Sequence, residues 1–318
     1  MRIYSAPMEG ITGALYRQVH HKYFGGIDRY FMPFISPNQD HILTKKDLRE
    51  LAPENNDGLD AVPQLLTRRT GEFLWAVREL AAMGYREVNL NLGCPSGTVT
   101  AKGKGSGFLA VPEELDAFLD EIFSKSPISI SVKTRFGMSG QEEFERLLEI
   151  YNQYPIQELT VHARVRSDFY KEPARIDFFG ECWEKSKNPV CYNGDLFTAN
   201  DCFDFFKRFP KIEAIMVGRG LIADPALGQK AAGGTGTDKT TLKRFHDELY
   251  EGYCSMFGSR KNAMMRMKEL WARQITLFEH GEKFGKNIRK ATDPVKYEAL
   301  VADLFERLEL LDHAQLWG

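Results

Sequence analysis

Eight short apolar runs rich in β-branched residues recur through the first 220 residues. They are RIYSAP (2–7), YFMPFI (30–35), AVPQLL (61–66), EVNLNLG (87–93), ISISVKT (128–134), ELTVHA (158–163), PVCYNG (189–194) and AIMVGRG (214–220). Their apolarity is continuous rather than alternating, which suits strands buried on both faces of a parallel sheet. Helical periods lie between most of them. GEFLWAVRELAAMG places Leu74, Val77, Leu80 and Ala81 on one face and stops at Gly84, a residue suited to a helix C-terminus. PEELDAFLDEIF opens with Pro112 in its first turn. SGQEEFERLLEIY offers a capping box of Ser139 with Glu142, and TANDCFDFFKRF begins at an N-cap, Thr198. Only the connection SPNQDHILTKKDLRELAPENNDG has no clean period.

Strands alternating with single helices predict an α/β fold, a (β/α)8 TIM barrel. A doubly wound open sheet would carry GxGxxG after its first strand, and APMEGITG does not. After Pro225 the pattern changes. AAGGTGTDKT (231–240) reads as a linker, and Thr241 to Trp317 holds only helical periods. The expectation is a barrel over residues 1–235 followed by a small all-helical C-terminal domain over 240–318.

Composition narrows the class. Hydrophobic residues make up 43% and the net charge is −2, as in an ordinary soluble protein with no global attraction to a polyanion. There is no apolar run of about 18 residues, so no membrane partner is expected. MRIYSAPMEG lacks a basic region before an apolar core, so no secretory leader is expected either. Five cysteines without a CxxC pair argue against a disulfide framework or a metal cluster and fit a reducing cytoplasm; a monomer is expected.

In a barrel the chemistry sits at the C-terminal ends of the strands. Those ends carry Met8 and Glu9, Gln64, Asn91 and Cys94, Lys133 and Arg135, His162 and Arg164, Asn193 with Asp195, and Arg219. So many polar groups at one rim are poor core packing, because each costs about 1–3 kcal/mol when buried without a partner. Glycine-bearing turns follow the last two strands, in YNGDLFT and MVGRGLIADP, where backbone N–H groups can approach an anion. A phosphorylated cofactor or substrate is expected there. Lys133 has three roles open to it: Schiff-base nucleophile, counter-ion, or partner of a carboxylate.

LNLGCPSGTVTAKGKGSG resembles the signature of the tRNA-dihydrouridine synthases, flavin enzymes that reduce uridine in tRNA. APMEGIT, PQLL, SVKTR, TVHAR, YNGD and VGRG follow in that family's order, from about residue 3 to 225. The resemblance implies an FMN-bearing barrel. Pro7 and Met8 would pack under the flavin, Gln64 would bond its ring edge, and Lys133 would lie at its pyrimidine end. His162 would lie between ring and phosphate, while Asn193, Gly194 and Asp195 with Gly218, Arg219 and Gly220 would hold the phosphate. Ala163 and Tyr192 stand where the family often has glycine and a small residue.

Reducing uracil needs a hydride at carbon 6 and a proton at carbon 5. A thiol with an ordinary pKa of about 8.5 is protonated at neutral pH, which suits Cys94 as the proton donor. Asn91 would bond the uracil edge, with Arg135 and Arg164 also on the substrate. The glycine–lysine loop would act as a mobile lid with Lys102 and Lys104 near phosphates. From Arg260 to Lys296 there are ten basic and four acidic residues, a net of +6 in a chain of −2. That is the footprint of a tRNA-binding face. NADPH or NADH would be the electron donor, although no dinucleotide fingerprint is present. The alternatives are a small-molecule FMN oxidoreductase of the dihydroorotate dehydrogenase type, a Schiff-base lyase using Lys133, and a tRNA-binding protein without catalysis.

Overall fold

The computed structural model describes residues 1–315, so the last three residues of the expected helical domain lie outside the described residues. The barrel is built from β1 (Arg2–Ser5), α1 (Ala14–Tyr23), β2 (Arg29–Phe31), α2 (Lys45–Leu51), β3 (Ala61–Val62), β4 (Gln64–Leu65), α3 (Thr70–Ala82) and β5 (Glu87–Leu92). It continues with α4 (Gly97–Thr100), α5 (Pro112–Lys125), β6 (Ser129–Arg135), α6 (Glu143–Tyr151), β7 (Leu159–His162), α7 (Ile176–Cys182), β8 (Val190–Asn193), α8 (Ala199–Arg208), β9 (Ala214–Val217), α9 (Arg219–Ala223) and α10 (Leu227–Ala231). Four longer helices follow: α11 (Lys239–Phe257), α12 (Arg260–Gln274), α13 (Glu282–Lys290) and α14 (Pro294–Arg307).

Every strand pairing is parallel, in the order β3-β2-β1-β9-β8-β7-β6-β5-β4. β3 and β4 are two halves of one stave separated by Pro63, which has no N–H to give a neighbour. The first half pairs with β2 and the second with β5, and the Pro63 carbonyl still accepts from Asn89 N at 2.9 Å. Eight staves therefore close into the expected barrel. Its interior is narrow and filled by Tyr4, Phe31, Val62, Cys191, Ala214 and Met216.

The caps explain where helices begin. Thr198 is the expected N-cap of α8, and it forms a reciprocal box with Asp201. The box expected at α6 from Ser139 and Glu142 does not form. Instead Glu143 accepts from the N–H groups of Met138, Ser139 and Gly140 at 2.7, 2.9 and 2.8 Å. Three donors on one carboxylate satisfy more of the turn than a single serine would. The irregular connection after β2 contains α2, capped by Thr44 and Asp47.

A second apolar cluster joins the C-terminal helices to the barrel. Tyr16 and Val19 of α1 and Ile222, Ala223 and Ala226 after β9 share a core with Phe245, Leu249, Met264, Trp271 and Leu304. Each fully buried large side chain contributes about 1.5–3 kcal/mol, so the helical region is fastened to α1 and α9. Their loops face the site.

Candidate active site

A cavity of about 260 Å³ opens at the C-terminal ends of the staves. Pro7 and Met8 follow β1, Asn91 and Cys94 end β5, and Lys133 and Arg135 end β6. His162 ends β7, Asn193, Gly194 and Asp195 end β8, and Gly218, Arg219 and Gly220 follow β9. Thirteen of the seventeen residues expected at the site thus line one cavity.

Cys94 lies half-exposed on the wall as a free thiol. Burial pushes its pKa above the ordinary thiol value, against the pull of the Ser96 N–H, Arg135 and Lys133. It is therefore a protonated acid at neutral pH. Its backbone is fixed from both sides: Cys94 N donates to Asn91 Oδ1 at 2.9 Å, and the Cys94 carbonyl accepts from Ser106 N and Oγ at 3.1 and 2.9 Å. Asn91 Nδ2 in turn donates to Gln64 Oε1 at 2.7 Å, Gln64 Nε2 to Asn89 Oδ1 at 2.7 Å, and Asn89 Nδ2 to Ser131 Oγ at 2.9 Å. An amide relay across three staves ends at the thiol loop.

Lys133 Nζ donates to Asn193 Oδ1 at 2.8 Å, and Asn193 Nδ2 to the Met216 carbonyl at 2.8 Å. Among the described residues no carboxylate bonds it, and burial, reinforced by Arg135, lowers its pKa to about 7. His162 is held well below the usual imidazole range by burial and by Arg135, Lys133, Arg164 and Arg219. It is neutral. Its Nε2 lies 3.2 Å from Arg164 Nη1, and a guanidinium only donates, so Nε2 accepts and the proton is assigned to Nδ1.

Asp195 organises the far end. Its carboxylate accepts from Arg164 Nη2 at 2.5 Å, Arg219 Nη2 at 2.6 Å and Ala174 N at 2.8 Å. One carboxylate between two arginines leaves positive charge for a ligand. The N–H groups of Gly218, Arg219 and Gly220 stand ahead of the first backbone bond of α9, made from Ile222 N to the Gly218 carbonyl. A Cβ at Gly220 would fall on the Leu196 carbonyl oxygen, and one at Gly194 would lie 2.9 Å from both Ala174 Cβ and Tyr192 Oη. Tyr192 fills the space behind Gly194, so only glycine fits in front of it.

Four expected residues lie off the cavity. Gln64 and Arg164 are buried behind the wall, where they hold Asn91 and Asp195. Lys102 and Lys104 line a separate cleft with Arg68 and Arg69. The loop that carries them is not a lid: residues Gly105–Leu109 are buried, because Ser106 binds Cys94. Arg135 is almost fully buried and uses Nε on the Gly93 carbonyl at 2.8 Å and Nη1 on the Val165 carbonyl at 3.1 Å. Sequence reasoning missed Tyr170. Its ring, 52% exposed, lies beneath the guanidiniums of Arg219, Arg135 and Arg164 at 4.7, 5.5 and 6.0 Å. An aromatic in an arginine-rich loop after a barrel strand was the available signal.

A parallel barrel with a protonated thiol, a depressed lysine and an anion cradle at one rim is the layout of a barrel enzyme. Comparison with known proteins narrows the class. The family model for dihydrouridine synthase (Dus) matches residues 4–311. The chain belongs to the dihydrouridine synthase family. It is 32% identical over 261 residues to the tRNA-dihydrouridine(16) synthase of Pseudomonas putida, covering 78% of this chain and 79% of that one. It is 29% identical over 227 residues to tRNA-dihydrouridine synthase B of Pasteurella multocida, covering 71% and 67%. Among solved structures, morphinone reductase in complex with tetrahydroNAD matches with a TM-score of 0.51 at 13% identity, over 76% of this chain and 89% of that one. Histamine dehydrogenase from Rhizobium sp. 4-9 matches with a TM-score of 0.53 at 13% identity, over 73% and 45%. These two likenesses are of fold. Among the described residues no helix is long and apolar enough to cross a membrane, and no cluster of three metal ligands occurs.

Proposed function

We propose that the protein reduces the 5,6 double bond of specific uridines in tRNA to dihydrouridine, in the cytoplasm, with FMN as resident cofactor and NADPH as electron donor. The observation that carries this reading is a protonated thiol, Cys94, sharing one cavity with Lys133 and the Asp195–Arg219 anion end. The names of the relatives in Pseudomonas putida and Pasteurella multocida support tRNA as the substrate.

The residues fit such a cofactor. The α9 N–H groups and Arg219 suit its phosphate, and glycine at 194 and 220 lets the chain pack closely behind that end of the cavity. Lys133, bonded to the Asn193 amide and, among the described residues, to no carboxylate, suits an anionic ring edge. Met8 and Pro7 offer an apolar floor. The chemistry supplied by the cofactor when bound is hydride donation to carbon 6, with NADPH restoring its reduced form.

The chain does the rest. Cys94 Sγ–H gives its proton to carbon 5, and its raised pKa keeps that proton in place until the carbanion develops. A positioned acid of this kind contributes about 10²–10⁴-fold. Asn91 fixes the thiol through the Cys94 N–H. Lys133, protonated beside a negative edge, stabilises charge that collects there. The neutral His162 keeps a proton on Nδ1 to donate. For grip, α13 buries only Ile288 and exposes Lys283, Lys286, Arg289 and Lys290, a basic face suited to phosphates. A small-molecule oxidoreductase would have no use for it. Incubating the protein with NADPH and an unmodified tRNA transcript, then mapping uridines by mass, tests the reading. Two added hydrogens at defined uridines are expected, and tRNA from a deletion strain with its full dihydrouridine content would overturn it.

A further inference from the structure

A second basic cleft lies outside the cavity, on the rim sector of β2, β4 and β5. It encloses about 790 Å³ and is lined by Ser36, Asn38 and Gln39 after β2, Arg68 and Arg69 after β4, and the Lys102–Lys104 turn after β5. Four cations face a single lining carboxylate, Glu72, which is already held by Thr67 Oγ1 at 2.7 Å and Arg69 Nη1 at 3.5 Å. In a chain whose net charge is −2, that is a strong local departure.

The cations are held together by construction. Arg68 packs over the Phe108 ring at 5.7 Å and donates to Glu114 at 2.7 Å. Its guanidinium lies so close to the backbone of Gly103 that a Cβ there would strike Nη1, and Gly103 has φ +63°. Arg68 is thus seated on the turn that carries Lys102 and Lys104. Among the described residues neither lysine bonds a carboxylate. Arg68 is partly offset by Glu114, but keeping Lys102 and Lys104 together beside it costs free energy unless a further anion accompanies them. Two residues on from Gln39 of the cleft, the exposed His41 ring stacks on Trp75 at 5.0 Å and 9°, a flat surface of the kind on which bases stack. The turn continues through Gly105 to Ser106, whose N–H and hydroxyl hold the Cys94 carbonyl. The cleft is therefore coupled to the thiol loop.

We propose that this cleft binds the phosphate backbone of the RNA strand that delivers its nucleotide to the cavity, with Arg68, Lys102 and Lys104 as the phosphate contacts. The helical region packs on α1 and α9, so the substrate is gripped from two sectors of the rim. The proposal rests on the tRNA reading above and deepens it.

The test is binding of an unmodified tRNA transcript across a range of salt concentrations. The triple variant Arg68→Gln, Lys102→Gln, Lys104→Gln should lower the slope of log affinity against log salt by about 2–3 units, roughly one per phosphate contact. Each single variant should lower it by about one. Lys187→Gln, an exposed lysine before β8, should leave the slope unchanged. Flavin absorbance checks that each variant is folded, and the singles suffice if the triple variant is not. Unchanged slope and affinity in the variants would overturn the cleft. Failure of the unaltered protein to bind tRNA would instead overturn the functional reading, and the cleft with it.

Discussion

The side-chain oxygen of Asn91 accepts the backbone N–H of Cys94 at 2.9 Å and that of Gly93 at 3.1 Å. The asparagine expected at the uracil edge thus also sets the height of the thiol, and Gln64 holds its other end at 2.7 Å. Asn91→Ala should retain flavin yet slow the reduction of tRNA by flavin-reduced protein by about 10²-fold, the cost of displacing a catalytic group by roughly 1 Å. Rapid-mixing of reduced protein with tRNA measures it. An unaltered rate would mean that the loop holds Cys94 without Asn91.

Lys133 gives a pH dependence with a definite sign. Burial lowers it from 10.5 to about 7, so in the ligand-free cavity it is charged below that pH and neutral above. An anionic ligand favours the charged form, so binding above pH 7 must take up a proton. Flavin affinity should fall by up to about tenfold per unit as pH rises past 7. Lys133→Met should bind more weakly at pH 6.5 and lose that slope. A titration of flavin binding between pH 6.5 and 9 checks both, and a slope surviving in Lys133→Met would assign the proton elsewhere.

Asp195 holds two guanidiniums, one of them on Arg164, whose side chain is 2% exposed. Asp195→Ala removes a charge-assisted bond to each, worth about 1.5–3 kcal/mol, and leaves Arg164 buried without its carboxylate. Flavin affinity should fall by about 10–100-fold, with a lower melting temperature. Asp195→Asn should retain more stability, since asparagine tolerates the φ of +40° found here. Equal melting temperatures for Asp195→Ala and the unaltered protein would contradict the bridging role.

Much of this architecture was written in local patterns. The eight apolar runs became eight staves because continuous apolarity is what a strand buried on both faces requires. The rim residues followed, since barrel strands place their C-terminal ends together. Tertiary partners were not legible. Glu143, rather than Glu142, caps α6 because three backbone N–H groups converge on it. The sequence EKFGKNIRK has too few apolar positions to announce α13, which buries only Ile288. The glycine–lysine loop suggested mobility, but Ser106 reaches back to Cys94, eleven residues of intervening chain folding into short turns. Gln64 and Arg164 appeared as rim groups, and distant partners draw both behind the wall.

The proton-donor role of Cys94 is tested most directly by single turnover. Flavin-reduced Cys94→Ala and unaltered protein are mixed with tRNA in the absence of oxygen, and flavin reoxidation is followed with dihydrouridine content. The variant should keep its flavin and react about 10²–10⁴-fold more slowly. Reoxidation at the unaltered rate with full dihydrouridine formation would show that the proton comes from another group.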